Sequence, residues 1–423
     1  MLRARSSRSG AGRATWVEAV AVLAFTLVVA APFLRPDRWV TSFDTVAYAG
    51  PNLEATYEAF RDGRLPLWNG DIFGGVPHLA NPQTTVFYPL KLVALPADVP
   101  RALNLLVALH LFVLAAGMVV LARRTLRLAP PAGFVAAVVV VGSGQVMVRT
   151  LFFEQVSVFA WLPWVLVAAD AAVRGGGPRL GGRGAVAALG LVTALTLLAG
   201  NPQTSFLGAA LAGAWGLGRL LDAEGGWPAR AAALGRLAGG VALGLGLAAV
   251  QLLPTLDLAR RAASASGRDP AWVAQWAVGA RTLPVALLGD LFAADHPTSV
   301  GSHEAVSYVG AVAAGLAVVG GYHLVGDRRW RWTAACLGLA AVGSVALATG
   351  PRFLPYRAAT RLVPAFDQAR VPARWLVVVV FVVAIGAAVA VDRVRSWAVL
   401  GARARASGLV LLVAGAAVVL AVG

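Results

Sequence analysis

Three segments of this sequence gather the side chains that could do chemistry, and each would do a different part of it. Asp44 stands about ten residues past the first long apolar run, close enough to stay at a membrane surface. A carboxylate there can take a proton from a hydroxyl or ligate a hard divalent cation, the one cofactor it would suit; otherwise it serves as a helix N-cap or a solvated loop acid. Glu154 and Gln155 follow Arg149 in what reads as a short connection on the same side. Glu154 is there to share a metal or an acceptor with Asp44, or else to pair with Arg149. The tetrapeptide Asn81-Pro82-Gln83-Thr84 recurs as Asn201-Pro202-Gln203-Thr204, and the amides of Asn81, Gln83, Asn201 and Gln203 can donate and accept together. The third segment holds Arg352, Arg357, Arg361, Arg370 and Arg374. Arg357 with Arg361, and Arg370 with Arg374, are spaced so that a helix would present two guanidinium forks on one face, a match for phosphate oxygens. Asp367 and anionic headgroups are the competing partners.

Other polar groups point to less. Asp290, Asp295, His296, His303 and Glu304 cluster in one segment, but their spacing fits no metal motif and they read as a solvated loop. His110 is the one ionisable residue expected at mid-span, and a lone histidine on a helix reads as a packed side chain. Asp170, Asp257 and Asp392 fall at span ends, near water, so span centres nearly free of charge argue against ion-coupled transport. The single cysteine, Cys336, excludes an intrachain disulfide and a cysteine-based metal site.

The elements that must position these groups are membrane helices. The 423 residues are 58% hydrophobic and 13% charged, with mean hydropathy +0.73, which excludes an ordinary soluble enzyme. The net charge of +16 would suggest nucleic acid in a soluble chain; here it belongs to loops. Lys91 is the only lysine among 36 basic residues, so arginine richness reflects composition as much as ligand. After a basic N-terminus (1–15), the run 16–34 is the first span, read as an uncleaved anchor. Ten more are expected at 101–122, 132–149, 158–173, 185–200, 205–220, 237–254, 305–325, 332–349, 374–392 and 407–423, about eleven in all. Arginines collect at every second connection, which puts the N-terminus in the cytoplasm. Connections 35–100, 255–304 and 350–373 then lie outside. Between them, 101–254 carries spans two to seven, 305–349 spans eight and nine, and 374–423 the last two. Gly200, Asn201 and Pro202 break one helix, a break tolerated in a membrane only against protein or a polar chamber.

An acid after the first span, then Gly63-Arg64-Leu65-Pro66-Leu67-Trp68-Asn69, Phe73-Gly74-Gly75-Val76-Pro77 and Phe87-Tyr88-Pro89, resembles the YfhO family of bacterial membrane proteins. Ala160-Trp161-Leu162-Pro163, Gly200-Asn201-Pro202-Gln203, Gln251-Leu252-Leu253-Pro254-Thr255, Tyr308-Val309-Gly310, Leu362-Val363-Pro364-Ala365-Phe366 and Arg370-Val371-Pro372-Ala373-Arg374 extend it in order over nearly the whole chain. The resemblance implies an all-α, GT-C-like bundle in the bacterial cytoplasmic membrane, with an outer active site, a polyprenyl-phosphate sugar donor and a cell-envelope acceptor. It makes Asp44 the essential acid and favours Arg370 and Arg374 at the donor phosphate, while the four amides, both segments lying outside, are expected on their own chemistry to face a common polar chamber and hold sugar hydroxyls. Family members often have His where this chain has Asn201. They usually continue into further spans and an outer soluble region, so a chain that stops at Gly423 inside an apolar run reads as a fragment. The competing readings are a transporter or flippase of a lipid-linked envelope precursor, and a scaffold without chemistry.

Overall fold

A computed structural model describes residues 2–40, 42–262, 268–279, 282–288, 302–363, 366 and 369–396. In chain order its α-helices are α1 (Leu2–Leu34), α2 (Gly50–Arg61), α3 (Val99–Val120), α4 (Ala132–Val141), α5 (Gly144–Arg149), α6 (Phe153–Val173), α7 (Gly177–Leu198) and α8 (Pro202–Leu221). They continue with α9 (Gly226–Arg261), α10 (Pro270–Val273), α11 (Leu283–Leu288), α12 (Ala311–Gly326), α13 (Arg331–Ala348), α14 (Leu354–Leu362) and α15 (Leu376–Ser396). The strands β1 (Trp68–Asn69) and β2 (Val76–Pro77) form a short antiparallel hairpin in the first long connection.

This is a helical membrane protein. Among the described residues seven helices are long and apolar enough to cross a bilayer, and α4 and α12 are apolar but shorter. The expected span at 407–423 lies outside the described residues. Several expected boundaries change. The span at 132–149 is two helices, because Ser143 caps a new one by accepting from Val146 N. The span expected at 158–173 begins at Phe153, and that at 237–254 lengthens to Gly226–Arg261. The span expected from 305 begins at Ala311.

The buried centre is built from α3, α6 and α15, whose apolar residues cover most of each helix surface, as expected for a helix enclosed by others. On α15 the run Leu376 to Phe381 is buried throughout. Lipid tails supply no hydrophobic drive for helix association, so small residues that let backbones approach take over. Gly320 of α12 shows this: a Cβ there would strike the carbonyl of Gly386 on α15. The peripheral helices α1, α7, α9 and α13 leave most of their apolar surface uncovered.

Alternate connections gather at opposite ends. At one end Arg123 meets Glu18 and donates to Leu128 O, Arg219 reaches Asp170 and Arg329 O, Arg236 reaches Ala172 O and Val173 O, and Arg393 faces Asp327. Asp170 is therefore buried between Arg174 and Arg219, contrary to the expectation that it lies near water. Asp392 accepts from Ala129 N, and Asp257 stays exposed beside Arg261. At the other end the first long connection is laced to the bundle. Asn104 joins Val40 N and Arg38 O, Thr45 donates to Leu151 O, and Gln251 and Thr255 of α9 donate to Leu79 O and Ala80 O.

Candidate functional site

Asp44 sits at that second end, exposed, as the residue before the π-helical turn Thr45–Ala49. Its carboxylate makes no cap hydrogen bond, so it is not an N-cap and stands as a solvent-exposed acid. One helical turn on, Tyr48 accepts from Asn81 Nδ2 at 2.6 Å. Burial, the carboxylate of Glu154 and that of Asp44 push the Tyr48 phenol up, with the Asn81 bond opposing.

Glu154 is not in a connection. It lies in the first turn of α6, buried, and Gln155 beside it is buried too. It does not pair with Arg149. That arginine reaches the carboxylate of Glu304 at 2.8 Å, and Arg374 grips the same carboxylate at 2.5 and 3.1 Å. Glu304 is buried, which corrects the expectation of a solvated loop. Asp290, Asp295, His296 and Asp367, and the side chain of His303, lie outside the described residues. Glu304 bridges the buried Arg149 and the half-buried Arg374, and Arg149 leaves Nε and Nη1 without a partner among the described residues.

The two Asn-Pro-Gln-Thr segments meet. Each asparagine caps the turn that its proline opens: Asn81 accepts from Gln83 N at 3.1 Å and Asn201 from Thr204 N at 2.9 Å. Asn201 also accepts from Thr204 Oγ1, so its carbonyl is spent locally on α8. The contact depends on Gly200, held at φ +97°, where a Cβ would lie 2.8 Å from Pro82 O and closer still to the Thr85 methyl. Gly200→Ala should therefore cost roughly 1–3 kcal/mol, read as a lower thermal midpoint in detergent, and an unchanged midpoint would show that the segments separate freely.

Gln203 carries the second segment to the arginines. Its Oε1 accepts from Arg374 Nη1 at 3.0 Å and its Nε2 donates to Arg370 O. Arg370 and Arg374 do not share a helix face, because Val371 between them adopts φ +62° and Pro372–Trp375 is a 3-10 turn. Their roles divide. Arg374 is committed to Glu304 and Gln203, whereas the Arg370 guanidinium stacks over Trp272 and Trp276 at 4.7 and 4.9 Å from the ring centroids. Burial and Arg374 lower the Arg370 pKa, and the carboxylates of Glu304 and Asp44 oppose them. Arg370 is thus within the field of Asp44. Arg357 and Arg361 do lie on one helix, α14, and are exposed. Gln83 is half-buried at the junction.

Sequence reasoning missed Lys91, His78 and Tyr48. Lys91 is buried, its Nζ donating to Thr84 O and to Thr56 Oγ1 at 3.3 Å, and His78 Nε2 lies 2.9 Å from the same hydroxyl. Its being the only lysine was the available signal. His110 is packed, donating to Leu106 O and accepting from Tyr88, whose hydroxyl accepts from Trp161. Among the described residues no three His, Cys, Asp or Glu side chains come together to hold a metal.

No model of a known protein family matches the chain, and no curated protein matches it either.

Proposed function

We propose that the protein is a membrane glycosyltransferase of GT-C type, moving a sugar from a polyprenyl-phosphate donor to a cell-envelope acceptor at the outer face of the bacterial cytoplasmic membrane. The observation that carries this reading is an exposed, uncapped Asp44 carboxylate within the field of an indole-stacked arginine, at the end of the bundle opposite the arginine-rich connections. The positive-inside rule assigns those connections to the cytoplasm, and with them the N-terminus. The resemblance to the YfhO family supports the same chemistry.

In this reading the acceptor hydroxyl attacks the anomeric carbon of the donor sugar while Asp44 takes its proton. The carbon–oxygen bond to the polyprenyl phosphate breaks, and the phosphate leaves with the electron pair. Arg370 balances that charge. Asn81 and Gln83 offer amides to sugar hydroxyls, while Asn201, Gln203 and Arg374 build the frame behind them. The test is transfer of a labelled hexose from its polyprenyl phosphate in vesicles holding the purified protein. Arg370→Glu is expected to raise the donor KM about tenfold or more, the equivalent of roughly 1.4 kcal/mol, and to leave the acceptor KM unchanged. An unchanged donor KM in folded protein would remove the phosphate role. Lipid movement without transfer would replace the enzyme by a flippase.

A further inference from the structure

In a chain that otherwise uses arginine for every positive charge, the one lysine is buried beneath the candidate site. Lys91 lies in the 3-10 turn Pro89–Ala94. Its ammonium donates to Thr84 O, the last carbonyl of the first Asn-Pro-Gln-Thr segment, and to Thr56 of α2. Thr56 spends its own proton on Asn52 O at 2.8 Å, so its oxygen is free to accept. Lys91 therefore ties the segment that holds Asn81 to the helix that follows Asp44 and Tyr48.

The charges around it come from three elements. The carboxylate of Glu154, on α6, favours the ammonium, and Lys91 in turn disfavours the charged form of His78. The Tyr57 ring of α2 lies 6.0 Å from Nζ, with Arg61 facing that tyrosine, and Tyr57 OH donates to Lys91 O at 2.7 Å. The charge of Asp44 acts on Glu154 in turn. Burial brings the ammonium down to about 7, against Glu154, which holds it up. An arginine at this place would stay charged at any physiological pH, and a lysine would not.

We propose that Lys91 is a positioning residue of the Asp44 site: coupled by charge to Glu154, its ammonium pins the Asn81–Thr84 turn to α2, and loss of the proton releases the turn and lowers activity. That Asp44 is the base of a transferase enters only where activity is read. The pair itself is read without it.

The experiment uses the full chain in nanodiscs, grown with [13Cε]lysine. A single lysine gives a single Cε signal that needs no assignment. Its midpoint is expected near 7 rather than the ordinary 10.5. In Glu154→Gln the midpoint should fall by about one unit or more, because the opposing carboxylate is gone. A midpoint at the ordinary value, or one that Glu154→Gln leaves in place, overturns the coupling. The alkaline limb of sugar transfer by the unaltered protein should fall at the Cε midpoint, and a limb displaced from it by more than about one unit overturns the positioning role. If transfer itself is absent while the Cε midpoint and its response to Glu154→Gln are as expected, the transferase reading fails and the coupled pair stands.

Discussion

Asp44→Asn is expected to lower kcat for sugar transfer by about 10²- to 10⁴-fold, the range a positioned general base supplies. The change keeps the shape of the side chain and removes its charge and basicity. Because Asp44 is exposed and accepts no cap hydrogen bond, the fold does not depend on it, and the thermal midpoint should move little. Both KM values should stay close to their starting values, since the proton is taken only as the acceptor attacks. Single-turnover transfer in vesicles checks this. Full transfer by a stably folded Asp44→Asn protein would eliminate the base, whatever the sugar or acceptor.

The largest effect on stability should come from Glu304→Gln, at roughly 3–5 kcal/mol. Glu304 bridges the buried guanidinium of Arg149 and the half-buried one of Arg374, and among the described residues Arg149 Nε and Nη1 have no partner. Removing the charge leaves the buried Arg149 facing a like charge without its carboxylate, so the loss exceeds the worth of either hydrogen bond. Arg374→Gln should cost less, because the Arg149–Glu304 pair survives it. Replacing all three residues by Met, Gln and Met should recover most of the loss, since no unpaired ion remains. Urea or thermal unfolding in a fixed detergent gives the ranking, and equal losses for the two single variants would break the argument.

Much of the bundle was legible in the sequence because apolar runs and alternating arginine clusters are one-dimensional signals. The breaks were less so. Gly142 and Ser143 end one helix and cap the next inside an apolar stretch that periodicity alone reads as continuous. Glu154 looked like a loop residue because a carboxylate beside apolar neighbours suggests water, whereas it opens α6 with Lys91 near enough to feel its charge. Arg370 and Arg374 have helical spacing, but the left-handed Val371 cancels it. The partner of Arg149 lies 155 positions away, at Glu304, and nothing local announces a pairing of that range.

The length of α9 bears on how the site meets the lipid. At 36 residues it extends about 54 Å, against a hydrocarbon core of about 30 Å. The last part of this helix holds Gln251 and Thr255, the two residues that grip the backbone of the first long connection. The protein itself, and not the bilayer, therefore acts as the ruler that sets how far Leu79 and Ala80 stand from the membrane midplane. In a thinner or thicker membrane the mismatch is taken up by tilt of the bundle and by local adjustment of the lipid. Asp44 and its neighbours keep their spacing to one another while their height above the headgroups changes.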